Sequence, residues 1–168
     1  YEFEVINSDV IVGLPGETTN DIASTIQKLI DIGANNITVH TLSVKRGSKL
    51  KQEDPDYHLR GIREVETMLE KASNILHAAG FVPYYVYRQK HQMGSFENTG
   101  WCIPGLHSLY NIRIMEEMQT IIGLGAGAIG KRYFPSENRL ERIPNINDYR
   151  MYVERIDNII ARKHKYFD

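Results

Sequence analysis

The sequence predicts an α/β fold from three observations. A β-branched apolar run, Ser8 to Leu14, stops abruptly at the turn Gly13-Leu-Pro-Gly16. A helical repeat follows, and then a second β-branched run, Asn36 to Val44. Strand, crossover helix and strand in this order make a right-handed βαβ unit with parallel strands. A further amphipathic helix and an alternating strand continue the order as far as Arg88. In such folds, ligands sit where the strands pass into helices.

Each element has a local reason. Val10, Ile11 and Val12 form a continuous apolar run of the kind buried on both faces of a parallel sheet. Gly13 and Gly16 allow the sharp turn, and Pro15 ends the ladder by removing a donor. Thr18, Thr19 or Asn20 caps the helix that follows. Ile22, Ile26, Leu29 and Ile30 keep helical spacing from Asp21 to Ile32, and Gly33 supplies the stop. After the second strand comes a basic loop, Lys45 to Leu50, continued by Gln52 to Tyr57. Ile62, Val65, Leu69, Ala72, Leu76 and Ala79 then mark a helix that Gly80 closes.

Phe81 to Arg88 alternates as a strand, with Val82, Tyr84 and Val86 on one face and Phe81, Tyr85 and Tyr87 on the other. From Gln89 to Ser108 no period survives, and a long irregular segment of this kind is functional or an ordered lid. Met118 to Leu124 is apolar and runs into Gly123-Leu-Gly-Ala-Gly-Ala128. Lys131 to Phe134 and Arg139 to Ile143 read as short strands joined by the turn Pro135 to Asn138. A final helix is expected from Asn147 to Lys163, with Tyr149, Val153, Ile156 and Ile160 inward.

Bulk properties narrow the function. The chain has 168 residues, enough for a real core, with 42 % hydrophobic and 24 % charged residues, both globular values. A formal charge of −1 gives no electrostatic case for nucleic acid. No apolar run is long enough for a membrane span, and no secretory leader is visible. The single cysteine, Cys102, excludes an internal disulfide and a cysteine-held metal cluster within the chain, and fits a reducing cytoplasm. The start at Tyr1 without a methionine, running almost directly into a strand, suggests the C-terminal portion of a longer protein whose N-terminal half is missing.

Four groups of residues are candidates for chemistry. The carboxylate of Asp9 heads a buried strand, where it either meets a ligand or caps a neighbouring backbone group. Gly123, Gly125, Ala126 and Gly127 could turn backbone N–H groups toward an anion or ring, but the run lacks both the dinucleotide and the P-loop pattern. Close packing of backbone on backbone is the simpler reading. Lys45, Arg46 and Arg88, with Lys49 and Lys90 nearby, form either an anion site or a solvated basic surface. The six histidines show no metal-binding spacing; His40 reads as a satisfied core residue, and Tyr84, Tyr85 and Tyr87 as core and rim.

Taken together, the motifs resemble a family. Asp9-Val-Ile-Val-Gly-Leu-Pro-Gly-Glu-Thr18 is similar to the Asp-Leu-Ile-x-Gly-Leu-Pro-Gly-Gln-Thr signature of oxygen-independent coproporphyrinogen III oxidases, which belong to the radical S-adenosylmethionine superfamily. Gly47-Ser-Lys-Leu50 resembles its Gly-Thr-x-Leu segment, and Asn98 to Gly105 with Tyr110-Asn111 its Ser-Asn-Phe-Ala-x-Pro-Gly and His-Asn stretches. Gly123 to Ala128 resembles its Gly-Leu-Gly-x-Gly-Ala motif. Thr38 to Leu42 and Tyr87 to Lys90 resemble runs of its divergent clostridial branch.

The resemblance implies that residues 1–50 are the last βαβ unit of a partial (β/α) radical-S-adenosylmethionine barrel and 51–168 a family-specific α+β C-terminal region. It implies a [4Fe–4S] cluster that cleaves S-adenosylmethionine to a 5′-deoxyadenosyl radical, which starts the conversion of two propionates to vinyls on the route to haem. By position, Asp9 and Gly123 to Ala128 match segments beside the bound S-adenosylmethionine. Lys45, Arg46 and Arg88 suit substrate propionates on charge alone. The family's Cys-x-x-x-Cys-x-x-Cys motif is absent, so this chain by itself is expected to be inactive. Ile129-Gly130 stands where a serine is usual, and Tyr110 replaces the histidine before Asn111. Some relatives are haem chaperones, so a tetrapyrrole substrate and a haem cargo both stay open, as does a nucleotide-binding module without radical chemistry.

Overall fold

The computed structural model describes residues 3–45, 47–88 and 92–168. The expectations placed on Arg46 and Lys90 lie outside these residues. The chain divides into two compact units, residues 1–108 and 109–168.

The first unit is a four-stranded sheet in the order β1-β2-β4-β3, with helices on one face. Strand β1 (Asn7–Val12) and strand β2 (Asn36–Thr41) are parallel, in a register that sets Asp9 against Thr38 and Ile11 against His40. Helix α1 (Thr19–Asp31) makes the crossover between them. Thr18 is its cap: the Thr18 hydroxyl accepts from the Asp21 amide at 3.4 Å, and the Asp21 carboxylate accepts from the Thr18 amide at 2.8 Å. This reciprocal box satisfies two otherwise orphaned donors. Thr18→Ala is expected to cost about 1 kcal/mol in chemical denaturation. The Thr18 side-chain and backbone hydrogen bonds hold the Asp21 carboxyl below its usual range, so T18A should also raise the Asp21 titration seen by NMR. That contribution is present above the unfolded carboxyl pKa and is lost as pH falls through the depressed folded value.

Short helix α2 (Lys49–Glu53) precedes α3 (Ile62–Ala78), whose Val65, Met68, Ala72 and Leu76 are buried. They meet Ile22 and Ile26 of α1 and the inward side chains Val10, Val12, Ile37 and Val39. Trp101 joins this core with His77 of α3 edge-on to its ring, centroids 4.8 Å apart. Only one face of β1 is covered: Val10 and Val12 are buried, whereas Ile11 is 42 % exposed. The expectation that all three residues are enclosed is thereby corrected, and period-2 alternation governs the strand.

A larger correction concerns residues 89–108. They include a central strand, β4 (Asn98–Cys102), antiparallel to β2 on one side and to β3 (Val82–Tyr87) on the other. Asn-Thr-Gly-Trp-Cys carries no apolar alternation, because one of its faces is filled by side chains from neighbouring strands. The register of β3 shifts between Pro83 and Tyr85. This irregularity breaks the strict alternation expected there and brings Tyr84 and Tyr85 both to a half-buried position.

The second unit pairs β5 (Ile129–Phe134) with β6 (Arg139–Pro144) in an antiparallel hairpin, close to the expected strands. Lys131 and Arg142 face each other across it, and Glu117 bonds both, at 2.7 and 3.0 Å. Those contacts, Lys131 first, hold the Glu117 carboxyl below its usual range. Helix α4 (Leu109–Glu116) occupies a stretch to which the sequence pattern assigned no element. The final helix is broken at Arg155 into α5 (Tyr149–Glu154) and α6 (Ile156–Phe167). Ile159 is its buried residue, while Tyr149, Val153, Ile156 and Ile160 are all exposed, so the inward face expected of them is wrong. The break resets the helical phase, which a single continuous wheel misreads.

Candidate functional site

The sheet face opposite the helices is polar. Asn7, Asp9 and Ile11 of β1, Asn36, Thr38 and His40 of β2, and Asn98, Gly100 and Cys102 of β4 share it by register. The tyrosines of β3 lie across β4 and reach β2. Tyr84 donates to Asn36 Oδ1 at 2.8 Å, Tyr85 shares a hydrogen with Thr38 Oγ1 at 2.9 Å, and the Tyr87 hydroxyl lies 2.8 Å from His40 Nδ1. Three hydroxyls thus meet three alternate residues of one strand.

Gly100 makes this crossing possible, since a Cβ there would overlap the Tyr85 ring. An aromatic ring laid over a strand glycine recovers the packing that glycine forfeits. Burial pushes Tyr85 up to about 12, against the hydrogen bond to Thr38, which lowers it. Beside these residues, Asn98 is fully buried. Its Oδ1 accepts from the Thr41 amide at 2.8 Å and from Gln92 Nε2. Burial also raises the Cys102 thiol, which argues against a reactive thiolate.

Asp9 stands at the other side of this face. Its Oδ1 accepts from Asn7 Nδ2 at 3.1 Å and lies 3.6 Å from His40 Nε2. The Asp9 side chain is 61 % exposed, so it is not the enclosed charge that a buried strand suggested. His40 sits between Asp9 and Tyr87 on the polar face, not in the apolar core, which corrects its reading as a core residue. The signal was in the sequence: Asn36, Thr38 and His40 alternate with Ile37 and Val39.

Beyond β1, the Gly13 carbonyl accepts from the Tyr57 hydroxyl at 3.2 Å, and Gly13 adopts φ +87°. A cavity of about 380 Å³ lies against this turn, lined by Gly13, Leu14, Glu17, Tyr57, Arg60, Met68 and Met93, among others. Arg60 is paired with Asp54. Burial, with Asp54 next, raises Tyr57 above the usual phenol range.

The remaining candidates fall as follows. Lys45 is exposed, and its carbonyl accepts from the Ser48 hydroxyl at 2.8 Å. Arg88 is paired with Glu97 at 3.2 Å. In the second unit, the glycine loop is braced from within. Asn145 Nδ2 donates to the Gly123 and Gly125 carbonyls at 3.2 and 2.8 Å, and Lys163 Nζ also donates to Gly123. The Gly125 amide donates to Tyr152 Oη at 3.2 Å and the Gly127 amide to the Ile146 carbonyl at 2.9 Å. Gly125 and Gly127 have positive φ, and Ala126 between them is exposed. Gly123 lies backbone to backbone against Ile129 and Gly130.

Comparison with known proteins places this chain. A parallel βαβ unit within a mixed four-stranded sheet defines an α/β protein, and sequence gives its kind. The chain is 40 % identical, over 97 % of its length, to the oxygen-independent coproporphyrinogen-III oxidase-like protein HemZ of Bacillus subtilis. It is also 27 % identical, over 76 % of its length, to the heme chaperone HemW of two Mycobacterium tuberculosis strains. The chain belongs to the oxygen-independent coproporphyrinogen-III oxidase-like family. It spans about a third of the length of these relatives, 32 % of HemZ and 30 % of HemW. No family model and no solved structure matches it. Among the described residues, no helix is long and apolar enough to cross a membrane.

Proposed function

We propose that this chain is the C-terminal part of an oxygen-independent coproporphyrinogen III dehydrogenase, a cytoplasmic enzyme that converts two propionates to vinyls and yields protoporphyrinogen IX. The observation that carries the reading is the 40 % identity over nearly the whole chain to a coproporphyrinogen-III oxidase-like protein. In this reading β1, α1 and β2 are the last βαβ unit of a partial barrel. The arrangement suits that role, with helices packed on one face and the polar side chains turned to the other.

The exposed carboxylate of Asp9 supports the S-adenosylmethionine reading, whereas one cysteine does not fit the cluster. Asp9 offers an exposed carboxylate at a fixed place, oriented by Asn7 and facing His40, as a group that holds ribose hydroxyls must be. Gly123, Gly125, Ala126 and Gly127 are separate candidates for the same cofactor in the second unit. The lone Cys102 is buried within β4, so the ligands of a [4Fe–4S] cluster belong to other parts of the longer protein. Cluster and cofactor, when bound, supply the hydrogen-atom abstraction that starts the loss of CO₂ from a propionate. This chain's share is to bind and orient. The polar face presents hydrogen-bonding groups, while Lys45, Arg46 and Arg88 are candidates for propionate carboxylates.

A second reading, a haem-handling protein on the same scaffold, draws on the match to HemW. The two separate in an anaerobic assay of the full-length protein with coproporphyrinogen III, S-adenosylmethionine and a reductant. The divinyl product is expected. Haem binding without turnover would overturn the first reading in favour of the second.

A further inference from the structure

We propose that the cavity against the Gly13–Glu17 turn is a binding site for a small primary amine with an apolar body, its ammonium held by Glu17. The inference stands apart from the tetrapyrrole reading and from S-adenosylmethionine. The lining residues all belong to the first unit, from the end of β1 to Met93. Val65 and Met68 of α3 line the cavity on the helix side of the sheet, whereas Asp9 lies on the opposite, polar face. A volume of about 380 Å³ falls within the range of small-molecule sites. The place is also the expected one, past the carboxyl end of a parallel strand.

The polar groups here are set to accept. Glu17 Oε2 is buried and has no hydrogen-bond partner, although Glu17 lines the cavity. A buried carboxylate oxygen left without a donor is costly, and a bound ammonium removes that cost. Tyr57 spends its hydroxyl hydrogen on the Gly13 carbonyl at 3.2 Å, so its oxygen can only accept from a ligand. Burial, then the Asp54 charge, raises Tyr57 above the usual phenol range; Arg60 opposes this and Glu17 adds to it, so the hydrogen is retained. Charge points the same way. Among the described lining residues Arg60 is the one cation, and it is paired with Asp54, which leaves Glu17 and Glu64 uncompensated.

Much of the remaining lining is apolar. Val65, Met68 and Met93 are almost fully buried, and Leu14 joins them at the turn. Thioether side chains adapt to irregular apolar shapes, so the cavity selects the charged head more strictly than the body. An anion would meet two carboxylates, and a quaternary cation has no N–H to give Glu17.

The test uses the full-length protein with hexylamine as the probe, followed by calorimetry and by methyl NMR of its methionines. Saturable one-to-one binding is expected, with the Met68 and Met93 methyls shifted and those of Met115, Met118 and Met151 unmoved. Hexanol lacks the charge and hexyltrimethylammonium the N–H donors, so each should bind about 10–100-fold more weakly. Glu17→Gln should weaken hexylamine by a similar factor and leave hexanol unchanged. The ligand comparison is made on the wild-type protein, so it stands even where that variant folds poorly. Absence of hexylamine binding overturns the proposal, as does equal affinity for hexanol or hexyltrimethylammonium. A Glu17→Gln variant that binds hexylamine as tightly as wild type overturns it too. Displacement of hexylamine by S-adenosylmethionine would assign the cavity to that cofactor and overturn it as well. None of these outcomes bears on turnover of coproporphyrinogen, which tests the tetrapyrrole reading separately.

Discussion

Gly100→Ala is expected to destabilise the first unit by about 2–5 kcal/mol, the sum of an overpacked site and a polar group stripped of its partner. The new methyl overlaps the Tyr85 ring, which lies between β4 and its own hydrogen bond to Thr38 on β2. Tyr85 must leave, and the Thr38 hydroxyl is then buried without a partner. Urea denaturation followed by Trp101 fluorescence reads the change, since the chain's single tryptophan sits in the same sheet. The mechanism is specific to one contact, so Tyr85→Ala combined with Gly100→Ala should cost clearly less than the sum of the two. Additive losses would mean that Gly100 is needed for its backbone and not for the ring above it.

Gly123→Ala should act on the second unit with comparable force, costing about 3 kcal/mol, the upper end for an overpacked site. Its Cβ would lie 2.7 Å from the Gly130 nitrogen and from the Ile129 carbonyl carbon. Neither is a side chain that can swing aside. Retreat would also break the paired hydrogen bonds between Ile121 and Lys131, both 2.7 Å, which tie this segment to the hairpin. Gly125→Ala is the internal comparison: its Cβ meets nothing, and only its φ of +93° is unfavourable, a cost of about 1–2 kcal/mol. Loss of far-UV circular dichroism with Trp101 fluorescence unchanged would mark the damage as confined to the second unit. Equal stability of the two variants would defeat the close-packing argument.

The parallel unit was legible because its local rules agree. Apolar spacing, the cap at Thr18 and the stop at Gly33 all point to one helix between two strands. The four ordered motifs were enough to reach the family. What could not be read was whatever depends on a distant partner. Asn98 to Cys102 looks like a loop because its central glycine makes sense only beneath Tyr85, fifteen positions earlier by residue number. The alternation along Asn36 to His40 marks the face that His40 shares, but only the parallel register with β1 brings Asp9 beside it. The exposed stripe of α5 and α6 was misread because the break at Arg155 leaves no mark in the hydrophobic pattern.

The strand order β1-β2-β4-β3 carries a consequence for how the chain matures on the ribosome. Strand β3 is made before β4, yet β4 is its neighbour in the sheet, so Val82 to Tyr87 leave the exit tunnel with nowhere native to pair. They wait until at least Cys102 has emerged, holding three tyrosines and two valines in the open. The parallel unit can assemble during that interval. The polar face is therefore the last part of the sheet to close, and a stall between Tyr87 and Asn98 would leave an incomplete sheet with an unpaired strand beside it.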